Sequence, residues 1–376
     1  MSSRQIRPTT ATIDLERLRS NLEAIKALVG EDVGVLCAVK GDAYGHGAIK
    51  VAQTLQDAGC EWFGVALVEE GLRLREAGIH VPILCLEGVG PAGADAAMRS
   101  RLTPVLYDLD EAERIDRAAS RRHEPCGVHL KVDTGMGRLG VPLPDWEGFL
   151  DRLTQYRWIR VDGIMTHLST AEAQSTTVTD EQARKFLEAV RAARSRGIRP
   201  TMLHMANSAA LLGYPRLRFD LVRPGLLVYG VHPSPDSSAQ VDVAPVMSVK
   251  TRVLFVKDVP PGVGISYGRK FVTERPSRIA TLPVGYADGY PRALSNRGEV
   301  LIHGERAPIR GAVCMDLVMI DVTDVATPVR AGDEVVLLGE QGDQRITVEE
   351  LASHAETIPY EILCGFSERV PRSTSG

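Results

Sequence analysis

The sequence predicts an α/β protein: a (β/α)8 TIM barrel over residues 1–239, followed by a mostly-β domain over residues 240–376. Three observations predict this. Short apolar runs alternate with helical patterns through the first part of the chain, eight of them in all. The segment "HPSPDSSAQVD" (232–242), rich in Pro, Ser and Asp, then interrupts the alternation as a linker. Strand-like runs set off by Gly and Pro turns follow it. A length of 376 residues exceeds the usual single domain and suits a large α/β unit with a smaller partner.

Leu15, Leu18, Leu22, Ile25 and Leu28 recur at helical spacing, with Asp14 placed as N-cap and Gly30 just past the end. The strand candidates are "VGVLCAVK", "WFGVALV", "VPILCLE", "TPVLYD", "GVHLKVD", "VDGIMTHL", "TMLHMAN" and "RFDLVR". Segments between them read as helices, as in Glu181 to Arg196, where Ala183, Phe186, Leu187 and Val190 share a face. Near-continuous apolar strands alternating with helices mean a covered parallel sheet, and a count of eight suggests closure into a barrel. Beyond the linker, "VMSVKTRVLFV", "RIATLPVGY", "EVLIHG", "CMDLVMIDV" and "DEVVLLG" read as strands, "TVEELASHAE" as one helix, and the terminal "RSTSG" as frayed.

Composition narrows the function. A net charge of −4 lacks the basic excess that nucleic acid or an anionic membrane surface would require, which leaves a small-molecule partner. Six cysteines without CxxC spacing read as reduced thiols, neither a zinc ribbon nor a disulfide framework. The N-terminal residues show no apolar core of a secretory signal and no run reaches membrane-spanning length, so a cytoplasmic protein is expected. His46, His80, His129 and His354 have no metal partners at ligand spacing, and no metal is expected.

In such a barrel the functional groups collect at the C-terminal ends of the strands. Lys40, Lys131 and Arg138, His167, Asn207 and Ser208, and Arg223 all stand at or just after strand ends. Alone, each could be a solvated cap, and Ser208 could be an ordinary helix cap. Their convergence on one rim is the signal. "ANSAALLG" and "RPGLLVYG" occupy the two loops where these barrels bind phosphate, Ser208 offering a hydroxyl and Gly225 allowing close backbone approach. A lysine facing a phosphate cradle points to pyridoxal phosphate, an amine capturing the aldehyde while the cradle holds the phosphate.

"AVKGDAYGHG", "KVDTGMGRLG", "GIMTHLSTAE", "HMANSAALL", "RPGLLVYG", "GISYGR", "PVGYADGYPR", "CMD" and "IPYEILC" resemble, in order, segments of the alanine racemases across nearly the whole chain. The resemblance implies pyridoxal 5'-phosphate as cofactor and the interconversion of L- and D-alanine by two bases, with D-alanine supplied to peptidoglycan. Lys40 would carry the cofactor and act on the D-alanine face, and Tyr267 would act on the L-alanine face. Tyr44, Ser208, Gly225, Leu226 and Tyr360 would hold the phosphate, with Asn207 alongside. Arg223 would face the pyridine nitrogen, where a guanidinium does not readily give up a proton and so weakens the ring as an electron sink. His167, bonded to Arg223, would bring positive charge toward Tyr267, whose phenol is otherwise a weak base near neutral pH. Arg138 and the Met315 backbone N–H would take the substrate carboxylate, and Lys131 would be the carbamylated lysine that positions Arg138. Tyr286, Tyr360 and Asp316 would line the access corridor and limit the side chain to a methyl group. The family also implies a head-to-tail homodimer in which a partner's second domain completes each site.

Three other readings compete. A serine or broad-specificity racemase would share the fold and differ in pocket lining. A decarboxylase on a related barrel would carry a glycine-rich phosphate segment and a cysteine acid where this chain has "GISYGR". A cofactor-carrying barrel protein would lack the second domain. Cys314, beside "CMD", is assigned no chemistry.

Overall fold

The computed structural model describes residues 6–173, 175–234 and 240–376. The chain forms two compact units, each built from discontinuous stretches. One comprises Leu18–Ala43 and Ala48–Ala244; the other comprises the chain up to Arg17, Tyr44–Gly47 and Pro245–Gly376. The sequence reading assigned residues 1–239 to the barrel as one block, whereas these units exchange their first residues. The reason is β1 (Thr10–Asp14), which the sequence reading missed. Its alternation buries Ala11 and Ile13 on one face, and it pairs antiparallel with a strand of the second unit, Thr10 opposite Lys250.

In the barrel unit, β2 (Gly34–Ala38), β3 (Trp62–Val65), β4 (Ile83–Cys85), β5 (Leu102–Leu106), β6 (Cys126–Asp133), β7 (Val141–Pro142), β8 (Ile159–Met165), β9 (Met202–His204) and β10 (Leu221–Val222) are all parallel. The order β10-β2-β3-β4-β5-β6-β8-β9 makes a near-closed barrel of the eight predicted strands, with β7 as a short addition beside β6. Leu36, Leu84, Val105, Met165 and Leu221, one from each of five strands, form a buried cluster. Burial of each such side chain contributes about 1.5–3 kcal/mol. The first helix, Leu15–Val29, is capped as expected: Asp14 accepts the N–H of Arg17 at 2.9 Å, and the chain leaves the helix at Gly30 with φ +84°. The helix expected at Glu181 to Arg196 runs Thr177–Ser195. Of the linker reading at 232–242, residues 235–239 lie outside the described residues.

The second unit is mostly β. Its larger sheet has the order β17-β16-β19-β11-β1-β21, from β11 (Met247–Arg252), β16 (Glu299–Ile302), β17 (Glu305–Pro308), β19 (Glu334–Gln341) and β21 (Arg372–Ser375). A smaller sheet of Phe255–Val259, Ser277–Leu282 and Val318–Asp321 packs a core that includes Val259, Ile265 and Ile279. Two expectations need correction. The terminal "RSTSG" does not fray: its first four residues are β21, parallel to β1 with Ala11 opposite Arg372, so the backbone groups of that segment gain a ladder. Beside the expected helix, here Val348–His354, a second helix, Pro359–Gly365, carries Tyr360 and opens with Pro359 in its first turn.

Candidate active site

Lys40 lies two residues beyond β2 and opens an unusual turn. Gly41, Asp42, Ala43 and Tyr44 all have positive φ, at 61°, 53°, 56° and 53°. A left-handed run costs roughly 1–2 kcal/mol for each non-glycine residue, so it persists only where the surroundings hold it. They do. Glu70 accepts the Gly41 N–H at 2.7 Å, Val39 accepts that of Ala43 at 2.9 Å, and Asp42 accepts that of Ala48 at 2.9 Å. The turn takes the chain out of β2 at a fixed angle and leaves Lys40 half-buried at the strand end.

Arg223 directly follows β10 and is 7% exposed. Its Nη2 donates to the carbonyls of Thr166 at 2.8 Å and Met205 at 3.2 Å, and lies 3.3 Å from His167 Nδ1; Nη1 lies 3.0 Å from His204 Nδ1. A guanidinium has only hydrogens to offer, so both imidazoles must accept at Nδ1 and carry their proton on Nε2. The chain continues inward, because His204 Nε2 is 2.7 Å from His129 Nδ1. Burial, reinforced by Arg223, Arg138, Lys131 and Lys40, pushes His167 down to about 3. His204 is also driven well below its usual value, by burial first and then by Arg223 and His129. His167 is therefore a neutral Nε2–H donor backed by a cation.

Lys131, on β6, is buried, and no hydrogen bond or ion pair holds its ammonium among the described residues. Burial first, then the charges of Arg223, Arg138 and Lys40, lower it to about 8. After β6 the chain wraps around Asp133, whose carboxylate accepts the N–H groups of Gly135 and Met136 at 2.9 Å each and of Gly137 at 2.9 Å. That anchored loop carries Arg138, which is exposed.

Asn207, not Ser208, caps the short helix Ser208–Gly213, accepting the N–H of Ala210 at 3.0 Å. This frees Ser208 from the capping reading. Its Oγ, buried, accepts the N–H of Gly225 at 3.0 Å, which fixes the "RPG" loop against the helix start and leaves the hydroxyl hydrogen to donate elsewhere. Leu226 begins the buried turn that follows.

The remaining predicted residues belong to the second unit and fall into two groups there. Tyr267 follows Ser266, held at φ 64° by a hydrogen bond from its Oγ to the Ala312 carbonyl at 2.7 Å. The Tyr286 N–H donates to Cys314 O at 3.0 Å and the Ala287 N–H to Met315 O at 3.0 Å. Tyr267, Tyr286, Met315 and Asp316 are thus borne on loops stitched together through residues 312–315. Tyr267 is 75% exposed and Met315 53%. Asp316 pairs with Arg369 at 2.6 Å; Arg369 reaches the buried Asp288, which Arg7 also grips at 2.5 and 2.6 Å. In the second group, Tyr44 and Tyr360 have ring centroids 5.8 Å apart. Burial first, then Tyr360 and Cys364, raises the Tyr44 phenol above its ordinary value.

Sequence reasoning missed several polar residues that hold these groups: Glu70, Gln182, His204 and Asp288. His129 was set aside as an ordinary hydrogen-bonded histidine, and its bond to His204 is of that kind. Only His204, in a run already read as a strand ending at the rim, carried a signal that could have drawn attention to it.

Family models for the alanine racemase N-terminal domain and C-terminal domain match residues 13–233 and 246–374. The chain is 47% identical over 372 residues to an alanine racemase of Halothermothrix orenii, covering 99% of this chain and 98% of that one. Among solved structures it is similar to the Bacillus anthracis alanine racemase with bound L-Ala-P, at TM-score 0.91 and 34% identity, covering 100% of this chain and 96% of that one. It is also similar to the Bartonella henselae alanine racemase with covalently bound pyridoxal phosphate, at TM-score 0.87 and 30% identity, covering 98% and 99%. The chain belongs to the alanine racemase family.

Proposed function

We propose that the protein interconverts L- and D-alanine with pyridoxal 5'-phosphate, Lys40 serving one face of the α-carbon and Tyr267 the other. The observation that carries this reading is the barrel rim, where Lys40 stands with a buried, fixed guanidinium and a neutral imidazole. The donor set fits the cofactor: an amine for the aldehyde, Arg223 donors for a ring nitrogen that accepts, and the Ser208 hydroxyl with the turn at Gly225 and Leu226 for the phosphate. Asn207 holds the helix start that presents Ser208, and by the family resemblance the neighbouring phenols of Tyr44 and Tyr360 would be further phosphate donors. Bound there, pyridoxal phosphate supplies a conjugated ring that acidifies the α-hydrogen of an amino acid joined to it.

The chain's own groups do the rest. Arg138 and the Met315 N–H orient the substrate carboxylate, a forked contact that fixes which bond faces each base. Lys40 takes or returns the proton on the D-alanine face. Tyr267 does so on the L-alanine face, its phenolate stabilised by the Nε2–H of His167 with Arg223 behind it. Positive charge therefore acts through a neutral imidazole; His167 itself is not charged. Lys131, neutral in good part near pH 8, meets the requirement for carbamylation, and a carbamate there would neutralise the local cations and hold Arg138. Tyr286 and Asp316 narrow the access corridor.

The exposure of Tyr267, Tyr286 and Met315 supports a homodimer in which these loops complete a partner's site. The free cysteines support a reducing compartment, the cytoplasm, where D-alanine would feed peptidoglycan. Among the described residues no helix is long and apolar enough to cross a membrane. The test is incubation with single L-amino acids in deuterated water, reading chirality and α-deuterium together. D-alanine carrying deuterium, with little product from serine or lysine, is the expected result. Equal conversion of several amino acids would replace it with a broad-specificity racemase, and no exchange at all would overturn racemisation.

A further inference from the structure

The helix Thr177–Ser195 carries a buried amide whose hydrogen bonds reach two of the loops at the barrel rim. Gln182 is 1% exposed, and all four of its hydrogen-bonding positions are used. Its Nε2 donates to the carbonyl of His167 at 3.0 Å and to Thr134 Oγ1 at 3.2 Å. Its Oε1 accepts from the Ser169 N–H at 3.0 Å and from the Ser169 hydroxyl at 3.0 Å. The orientation of the amide is dictated by its partners, since a carbonyl can only accept and an N–H can only donate.

The partners are not scattered. His167 and Ser169 belong to the loop after β8, and Thr134 to the loop after β6 that leads to Arg138. Thr134 Oγ1, which accepts from Gln182, also shares a hydrogen bond with Thr166 Oγ1, 2.8 Å away. The Thr166 carbonyl in turn accepts from Arg223. One amide therefore ties together both flanks of His167 and reaches, through two buried threonines, the peptide that fixes Arg223. We propose that Gln182 is a positioning residue for proton transfer on the L-alanine face, holding the His167 ring in the place where Arg223 imposes its tautomer. This rests on the reading that His167 supports Tyr267.

The chemistry distinguishes the amide from a packing group. Glutamate has the same shape but no amide hydrogens, so Gln182→Glu sets a carboxylate against the His167 carbonyl, while Gln182→Met keeps the volume and removes every hydrogen bond. Both variants are expected to lower kcat/KM about 10- to 100-fold, the cost of small misplacement of a reacting group. The diagnostic readout is asymmetry. With α-deuterated substrates, the primary isotope effect rises from L-alanine, whose proton the weakened base must remove, and falls from D-alanine, where the slow step becomes delivery of a solvent proton. Imidazole 15N NMR of the holoenzyme supplies a readout apart from turnover: His167 is a single Nε2–H tautomer in the wild type and a tautomer mixture in Gln182→Met. Unchanged isotope effects with only a lower Tm, or full activity in Gln182→Glu, would overturn the proposal. Thr134→Val, which removes one arm, carries the same test if Gln182→Met does not fold. Tyr267→Phe run in parallel separates the two ideas: if it shows no asymmetry, the two-base reading fails, whereas asymmetry in Tyr267→Phe but not in the Gln182 variants overturns only the role of Gln182.

Discussion

The barrel unit and the β unit hold their candidate site residues in opposite ways. On the barrel, Arg223, Lys131 and Ser208 are buried, and His167 is driven neutral by burial, reinforced by the cations around it. In the β unit, Tyr267, Tyr286 and Met315 stand exposed on loops whose backbone alone is anchored. The difference teaches where preorganisation resides. Charged and polar groups that must keep one tautomer or one direction are locked by hydrogen bonds in a low-dielectric setting. The exposed groups of the second unit are carried instead on turns whose backbone is anchored while the side chains stay uncovered.

Tyr267→Phe is expected to lower kcat/KM by about 10²–10⁴-fold, the range for losing a general acid–base group, while changing stability by less than about 0.5 kcal/mol as an exposed position should. Paired racemisation assays and urea melts check this, and a large loss of stability would show that the phenol is not free of the fold. Arg223→Leu is expected to lower stability as well as activity, with a stability loss of about 3 kcal/mol in the same melts. It strands the carbonyls of Thr166 and Met205 and the Nδ1 of His204 together. Arg223→Lys should not recover it, since an ammonium cannot span those acceptors as a planar fork does.

The smallest effect concerns Lys131. In the folded chain its ammonium gives up its proton near 8, and in the unfolded chain near about 10.4. Between those values the unfolded chain binds more protons, so this residue makes stability rise with pH across that window. In bicarbonate-free buffer Lys131→Met is therefore expected to be more stable than the wild type below pH 8, with the gain shrinking as pH rises toward 10. Denaturant melts at pH 7 and 9.5 measure it. A carbamate on Lys131 would abolish the difference in slope when bicarbonate is restored.

Much of the barrel was legible because its signals are local. Eight apolar runs separated by helical patterns can be counted without knowing where any of them goes, and Asp14 and Gly30 mark a helix by themselves. β1 was not legible, because a strand of five residues takes its meaning from partners more than two hundred residues away. The terminal strand Arg372–Ser375 failed for the same reason: a polar, exposed pattern reads as frayed until a neighbour supplies the ladder. The positions of Lys40, Arg138, His167 and Arg223 at the rim followed from strand ends. The neutrality of His167 did not, since it depends first on burial and then on cations drawn from three separate stretches of chain.

By itself the sequence determined the strand count, the chemical types placed at each strand end and the ordered motifs that mark the family, because each is set within a few residues. Only the tertiary structure decided the left-handed turn after Lys40, the single tautomers imposed by Arg223, the lowered Lys131 and the four-way grip of Gln182. Each of these depends on groups distant in sequence brought together in a medium that excludes water, where charges act strongly and a hydrogen bond left unmade costs far more than it does in solution.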